Sequence, residues 1–163
     1  KANVLEATGL WREVVTELHK EYHDVTLNHM YVDNCAMQLI RSPKQFDVIV
    51  TTNMFGDIFT DLGAAVQGGL GVAAGGNIHP GKVSVFEPIH GSAPKYKGQK
   101  KANPIATILA AGMLLDHLGE TKAADEVEAA VIRVLPKLPS LGTNSGVPTD
   151  KIGDMVVEEL ALS

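Results

Sequence analysis

Two carboxylates, Asp57 and Asp61, stand four residues apart in "TTNMFGDIFTD" (51–61), just after a glycine. On a helix, residues at that spacing share a face with Cβ atoms roughly 5–6 Å apart, close enough for both to reach one ion. Mg²⁺ takes hard oxygen ligands and uses only one or two carboxylates, leaving the rest of its shell to water and substrate. A divalent cation is one reading of the pair. Ordinary solvation is the other, because acids in a first helical turn are favoured by the helix dipole. Two features weigh against solvation alone. Asp57 follows an apolar run expected to be a buried strand, so it falls at a strand's carboxyl end, where α/β proteins bind ligands. Asp61 lies deeper in the helix, where the dipole helps less. Asp33 opens the element after another expected strand in "HMYVDN". It is either a further acid at the carboxyl edge of a sheet, near the first pair, or a helix N-cap, and the two roles are compatible.

A second stretch, "EPIHGSAP" (87–94), follows an expected strand and offers backbone N–H groups from His90, Gly91, Ser92 and Ala93. Glycine at 91 allows close backbone approach, so the stretch could cradle a phosphate. Lys95, Lys97, Lys100 and Lys101 come directly after it, a concentration of cations in an acidic chain. That suggests an anion site, with a solvated basic loop as the alternative, and His90 could equally be a polar residue of that loop. Gly69 to Ala74 has the form G-x-G-x-x-[GA], but a helix precedes it and a loop follows, where a dinucleotide fingerprint needs strand before and helix after. Those glycines are read as a tight bend.

The elements that must position these residues follow from periodicity. Leu10, Trp11, Val14, Val15 and Leu18 have helical spacing over roughly 4–22. "VTLNHMYV" (25–32) reads as a strand, "DNCAMQLIRSP" as a helix stopped near Pro43, and "FDVIVTT" (46–52) as a strand of the apolar kind buried in parallel sheets. A helix follows to about Val66. Residues 68–81 are glycine-rich and read as a loop or crossover, "KVSVFEP" as a strand ended by Pro88, and 90–103 as a long irregular loop. Asn103 can cap the next helix, with Pro104 in its first turn and Gly119 past its end. Thr121 and Thr149 can cap two more, the last bearing Ile152, Val156 and Leu160. Helices alternating with strands predict an α/β fold, helices packed on a largely parallel sheet.

Bulk properties limit the functions. With 163 residues, 45% apolar and 20% charged, the chain is an ordinary globular protein with room for one domain or parts of two. A net charge of −5 provides no basic field for nucleic acid. No apolar run approaches the ~20 residues needed to cross a bilayer, so no membrane partner is expected. The single cysteine, Cys35, excludes an internal disulfide framework and fits a reducing compartment such as the cytoplasm. The first residue is Lys rather than Met, as expected of a processed chain or part of a longer one.

Taken together, "KANVL…LWREV", "HMYVDNCAMQLIRSPKQFDVIVT", "NMFGDIFTD", "FEPIHGSAP" and "ANPIATILAAGMLL" resemble, in order and spacing, the β-decarboxylating dehydrogenases, the family of 3-isopropylmalate, isocitrate and tartrate dehydrogenases. "KANVL" followed by "LWR" is more similar to the isopropylmalate branch than to the isocitrate branch. The resemblance implies an isopropylmalate/isocitrate dehydrogenase-like fold of which this chain is the C-terminal portion. Residues 1–67 would end the metal, substrate and dimerisation domain, and 68–163 would close the nucleotide-binding domain. It implies Asp57 and Asp61 as ligands of Mg²⁺ or Mn²⁺, Asp33 as a third ligand supplied across a homodimer interface, and Lys1 as a catalytic lysine also donated by the partner. Glu87, His90, Gly91, Ser92, Ala93 and Asn103 match the segments that hold the nicotinamide ribose, pyrophosphate and adenine of NAD. The implied reaction is oxidative decarboxylation of a 2-hydroxy diacid, 3-isopropylmalate, in leucine biosynthesis. A lysine takes part in proton transfer there only if burial or a nearby charge brings its pKa toward neutrality.

Two departures qualify the resemblance. NAD-using members carry Asp where this chain has Lys95, and Lys95-Tyr96 is similar to the NADP-using isocitrate dehydrogenases, although a matching Tyr and Arg nearer the C-terminus have no counterpart around 136–150. NAD is expected from the branch, with NADP open. The family's N-terminal half, with its substrate-gripping arginines and catalytic tyrosine, lies outside the sequence, so the 163-residue chain alone is expected to be inactive and poorly stable. Rival readings are a sister activity on isocitrate, tartrate or homoisocitrate, and a non-catalytic regulatory or assembly module. The retention of Asp33, Asp57 and Asp61 counts against the last.

Overall fold

Helical periodicity is realised in six helices, and the computed structural model describes residue 1 and residues 4–162. In chain order they are α1 (Gly9–Leu18), α2 (Val32–Arg41), α3 (Asn53–Gln67), α4 (Ile105–His117), α5 (Thr121–Val134) and α6 (Thr149–Leu160), with strands β1 (Ala74–Asn77) and β2 (Val85–Pro88) between α3 and α4. The chain divides into two compact units, Lys1–Leu62 and Gly63–Ser163.

In the first unit α1 is flanked by 3₁₀ turns at Glu6–Thr8 and His19–Glu21, which together fill the span its spacing predicts. α2 stops at Arg41, two residues before Pro43, as proline's effect on the preceding residue requires. The two expected strands are not formed. Residues 26–31 and 48–52 pair with no strand among the described residues, and Val48 and Val50, expected to be buried, are 83% and 66% exposed. The reason is that a strand is defined by a neighbour, and an apolar run with neither a ladder nor a covering helix remains extended and wet. Side chains of and near α1 fasten the 25–29 segment instead. His19 Nε2 lies 2.6 Å from Val25 O, and Thr16 Oγ1 lies 3.0 Å from His29 Nε2. Cys35 and Phe59 are the described residues of this unit that reach full burial.

The second unit has a core of its own. Ile105 from α4, Ala130, Val131 and Val134 from α5, Leu138, and Ile152 and Val156 from α6 form one buried cluster. The sheet expected to be largely parallel is, among the described residues, a single antiparallel pair, β1 with β2, in the register Gly75↔Glu87 and Gly76↔Phe86. β1 falls within 68–81, read from the sequence as loop, because "AGGN" has no alternation to betray it. Its glycines have a packing reason: a Cβ on Gly76 would stand 3.1 Å from the Phe86 ring. Phe86 in turn meets His117 of α4, ring centroids 5.3 Å apart, so helix lies on hairpin. The bend read at the preceding glycines is present, with Gly68 and Gly69 at φ 130 and 104, values only glycine adopts readily.

The expected caps are fulfilled once in four cases. Asn103 Oδ1 accepts the Ile105 N–H at 3.0 Å and starts α4. Thr121 and Thr149 cap nothing, because their hydroxyls donate to Asp116 Oδ1 (3.2 Å) and Ala102 O (2.6 Å). Asp33 is not an N-cap either. It is the second residue of α2, whose N-cap is Tyr31.

Candidate functional site

The first unit holds the acids. α3 carries Asp57 and Asp61 four residues apart, on one face of an uninterrupted helix, and both are exposed. The Asp57 carbonyl accepts from Thr60 Oγ1 at 2.9 Å, while neither carboxylate has a hydrogen-bond or ion-pair partner among the described residues. Two hard oxygen donors at that spacing, committed to no lysine or arginine, fit a divalent cation that keeps the rest of its shell for water and substrate.

Asp33 does not join them. Among the described residues of the single chain no three His, Cys, Asp or Glu side chains come together to hold a metal. Lys1 Nζ donates to Asp33 Oδ2 instead, across 32 residues of sequence. That contact, with the Asn34 N–H donating to Asp33 Oδ1 at 2.9 Å, holds the Asp33 carboxyl below the ordinary aspartate range. The four candidates of this unit thus form two couples: Lys1 with Asp33, already joined, and Asp57 with Asp61, open. The joined couple is what sequence reasoning missed. Each residue was singled out, but no local signal ties position 1 to position 33.

The second unit holds the 87–103 segment. Glu87 lies on β2, exposed, opposite Gly75. Ile89 N–H closes the ladder on Ala73 O at 3.1 Å. The N–H groups of His90, Gly91, Ser92 and Ala93 then donate to no described residue, and Gly91 and Ser92 are exposed. His90 is turned onto its own loop, with Nδ1 2.9 Å from Gly91 O. Ala93 sits in the left-handed region at φ 44, reversing the chain into a 3₁₀ turn, Pro94–Tyr96. There the Lys95 ammonium stands 4.9 Å above the Tyr96 ring, a cation–π contact that fixes its direction. A run of unpaired N–H groups beside an oriented cation is a chemically sound anion cradle. Asn103 is different. It is 5% exposed, with Oδ1 on the Ile105 N–H and Nδ2 donating to Leu141 O at 2.9 Å, so its amide is satisfied at both ends inside the protein.

No helix among the described residues is long and apolar enough to cross a membrane. Comparison with known proteins agrees with these motifs. The family model for isocitrate/isopropylmalate dehydrogenase matches residues 1–156. The chain is 52% identical to a 3-isopropylmalate dehydrogenase of Carboxydothermus hydrogenoformans, covering 98% of this chain and 44% of that protein. It is 48% identical to the 3-isopropylmalate dehydrogenase of Wolinella succinogenes, over 99% of this chain and 47% of the relative. A crystal structure of isocitrate dehydrogenase from Methylococcus capsulatus superposes with a TM-score of 0.91 at 42% identity, over 98% of this chain and 48% of that one. The chain therefore spans less than half the length of these relatives, and its fold is that of their C-terminal portion. By sequence and by fold, the chain belongs to the isocitrate/isopropylmalate dehydrogenase family.

Proposed function

We propose that this sequence is the C-terminal portion of a cytoplasmic, metal- and NAD-dependent 3-isopropylmalate dehydrogenase of leucine biosynthesis, active as a homodimer with shared sites. Residues 1–67 would complete its metal and dimerisation domain and 68–163 its nucleotide domain. The observation that carries the reading is the division of the first unit's candidates into an open acid couple and a joined lysine–acid couple. Among the described residues of one chain, Asp57 and Asp61 have no third acid beside them, and the Lys1–Asp33 couple does not join them. A two-fold dimer resolves both at once, because each copy then gives one couple to its own site and one to its partner's.

Asp57 and Asp61, with Asp33 of a second copy, would hold Mg²⁺ or Mn²⁺, and the bound ion would supply Lewis-acid polarisation of the oxygen beside the departing carboxyl group. Lys1 would hold and deliver a proton at Nζ, steered by Asp33. The segment from Glu87 to Ala93 would seat the coenzyme, phosphates on the free N–H groups, with NAD accepting the hydride. Asn103 would help to shape the adenine end through its backbone, since its side chain is already engaged. The oriented Lys95 over Tyr96 favours one second reading, NADP in place of NAD, because an ammonium meets a ribose 2′-phosphate better than a 2′-hydroxyl. Sister substrates such as isocitrate or tartrate would leave this half of the site unchanged.

Titration calorimetry of Mn²⁺ into the full-length protein tests the reading. Asp57→Asn is expected to lower affinity at least as much as the roughly 10–100-fold seen on losing outer-shell metal partners. Unchanged affinity overturns the metal site. Turnover of isopropylmalate by the purified 163-residue chain with Mn²⁺ and NAD would overturn the expectation that this portion alone is inactive.

A further inference from the structure

Three consecutive carbonyls, those of Lys100, Lys101 and Ala102, are each taken by a donor from one later segment. Thr149 N–H reaches Lys100 O at 2.9 Å, Asn144 N–H reaches Lys101 O at 3.0 Å, and Thr149 Oγ1 reaches Ala102 O at 2.6 Å. Asn103 continues the seam through Nδ2 to Leu141 O. An ion pair closes it, Lys100 Nζ to Asp150 Oδ2 at 2.5 Å, fifty positions apart in sequence. Two non-glycine residues of the seam are left-handed, Lys100 at φ 53 and Asn144 at φ 63. Asparagine tolerates that region, whereas a lysine there brings its Cβ against the following carbonyl. Something must hold Lys100 in place, and both its carbonyl and its ammonium are held from the head of α6.

The clamped stretch is the second limb of the loop that starts at the free N–H groups of His90 to Ala93. The first limb leaves β2 and is fixed by the Ile89 N–H donating to Ala73 O beside β1. Between the limbs, among the described residues, the loop bonds only to itself, as in Tyr96 N–H to Ala93 O at 2.9 Å and Gln99 Nε2 to Lys95 O at 2.7 Å. Its seating therefore depends on the seam. We propose that Asp150 is a positioning residue for the coenzyme, which by holding Lys100 seats the loop bearing Lys95 and Tyr96. The pair also withdraws Lys100 from the cations able to meet a coenzyme phosphate. This rests on reading 87–103 as the coenzyme segment. An exposed ion pair contributes little by itself. Here it acts on a backbone conformation that lysine otherwise avoids, so its loss is expected at the loop rather than in global stability.

In the full-length dehydrogenase, Asp150→Ala is expected to raise the coenzyme KM about threefold, the scale of an exposed ion pair, with kcat little changed. Asp150→Glu should recover most of the loss. Asp154→Asn removes another acid of the same helix, one paired with Lys151 at 2.9 Å, and should leave the coenzyme KM alone. Amide exchange over residues 99–103 should quicken in Asp150→Ala and not in Asp154→Asn. A parent enzyme that binds coenzyme, with an Asp150→Ala variant unchanged in KM and in loop exchange, overturns the proposal alone. An equal response to Asp154→Asn also overturns it, by showing a helix-charge effect. A parent that binds neither NAD nor NADP overturns the coenzyme reading and this proposal together.

Discussion

The two units of this chain divide the tasks of a protein unevenly. The second unit buries Ile105, Val131, Val134, Ile152 and Val156 almost completely, in one cluster shared by three helices. The first carries Lys1, Asp33, Asp57 and Asp61, yet of its described residues only Cys35 and Phe59 are buried, and Leu10, Trp11, Val14 and Leu18 of α1 lie open. An amphipathic helix draws most of its stability from packing its apolar face. The face of α1 finds no cover within its own unit. The comparison teaches that residue chemistry and residue placement are separable: the acids are present, while the apolar face of α1 in the same unit lies open.

The sharpest way to break that contrast is to remove matched apolar groups from each unit. Ile105→Ala in the 163-residue chain is expected to lower stability by about 2–5 kcal/mol, the range for truncating a fully buried isoleucine. Leu10→Ala, at a residue 65% exposed, should stay within about 0.5 kcal/mol. Urea unfolding followed by circular dichroism measures both. A comparable loss from Leu10→Ala would mean that the first unit has a core after all. In the full-length protein the Leu10 effect should grow, because there the face would be covered.

A smaller effect separates two glycines within the second unit. A Cβ at Gly71 would stand 2.7 Å from Leu141 O and 3.0 Å from Asn103 Cβ, so Gly71→Ala should cost about 1–3 kcal/mol by forcing that crossing apart. Gly153, inside α6 with nothing within 4 Å, should gain roughly 0.5–1 kcal/mol as Ala. Thermal melts that failed to move in opposite directions would contradict the packing described at the 71–103–141 crossing.

The same contrast governs what was legible in the sequence. Helices were readable because their period is local, and α1 to α6 fall close to the spans predicted. The family motifs were readable because residue type and order carry them. Pairing was not. The 26–31 and 48–52 segments look like strands and have no ladder, while "AGGN" looks like loop and has one, since a ladder is a property of two segments. Caps failed for a related reason. Thr149 is chemically able to cap α6, but its hydroxyl finds Ala102 O, forty-seven positions away, and that bond wins. The acid couple on α3 was visible at its i,i+4 spacing, and the Lys1–Asp33 couple was invisible because nothing local links them.

The smallest predicted effect tests that invisible couple. Asp33 has its carboxyl lowered chiefly by the Lys1 ammonium and next by the Asn34 N–H. A carboxylate lowered in the folded state stabilises it above the unfolded pKa, and the contribution disappears as pH falls through the folded value. The window is therefore acid, at and below about pH 4. Carboxyl ¹³C NMR should show Asp33 titrating below the ordinary aspartate range. In Lys1→Ala it should move up toward the ordinary range, stopping short because Asn34 still donates. If Asp33 titrates in the ordinary aspartate range in the unaltered chain, the joined couple does not persist in solution, and the division of the site into an open and a joined half fails with it.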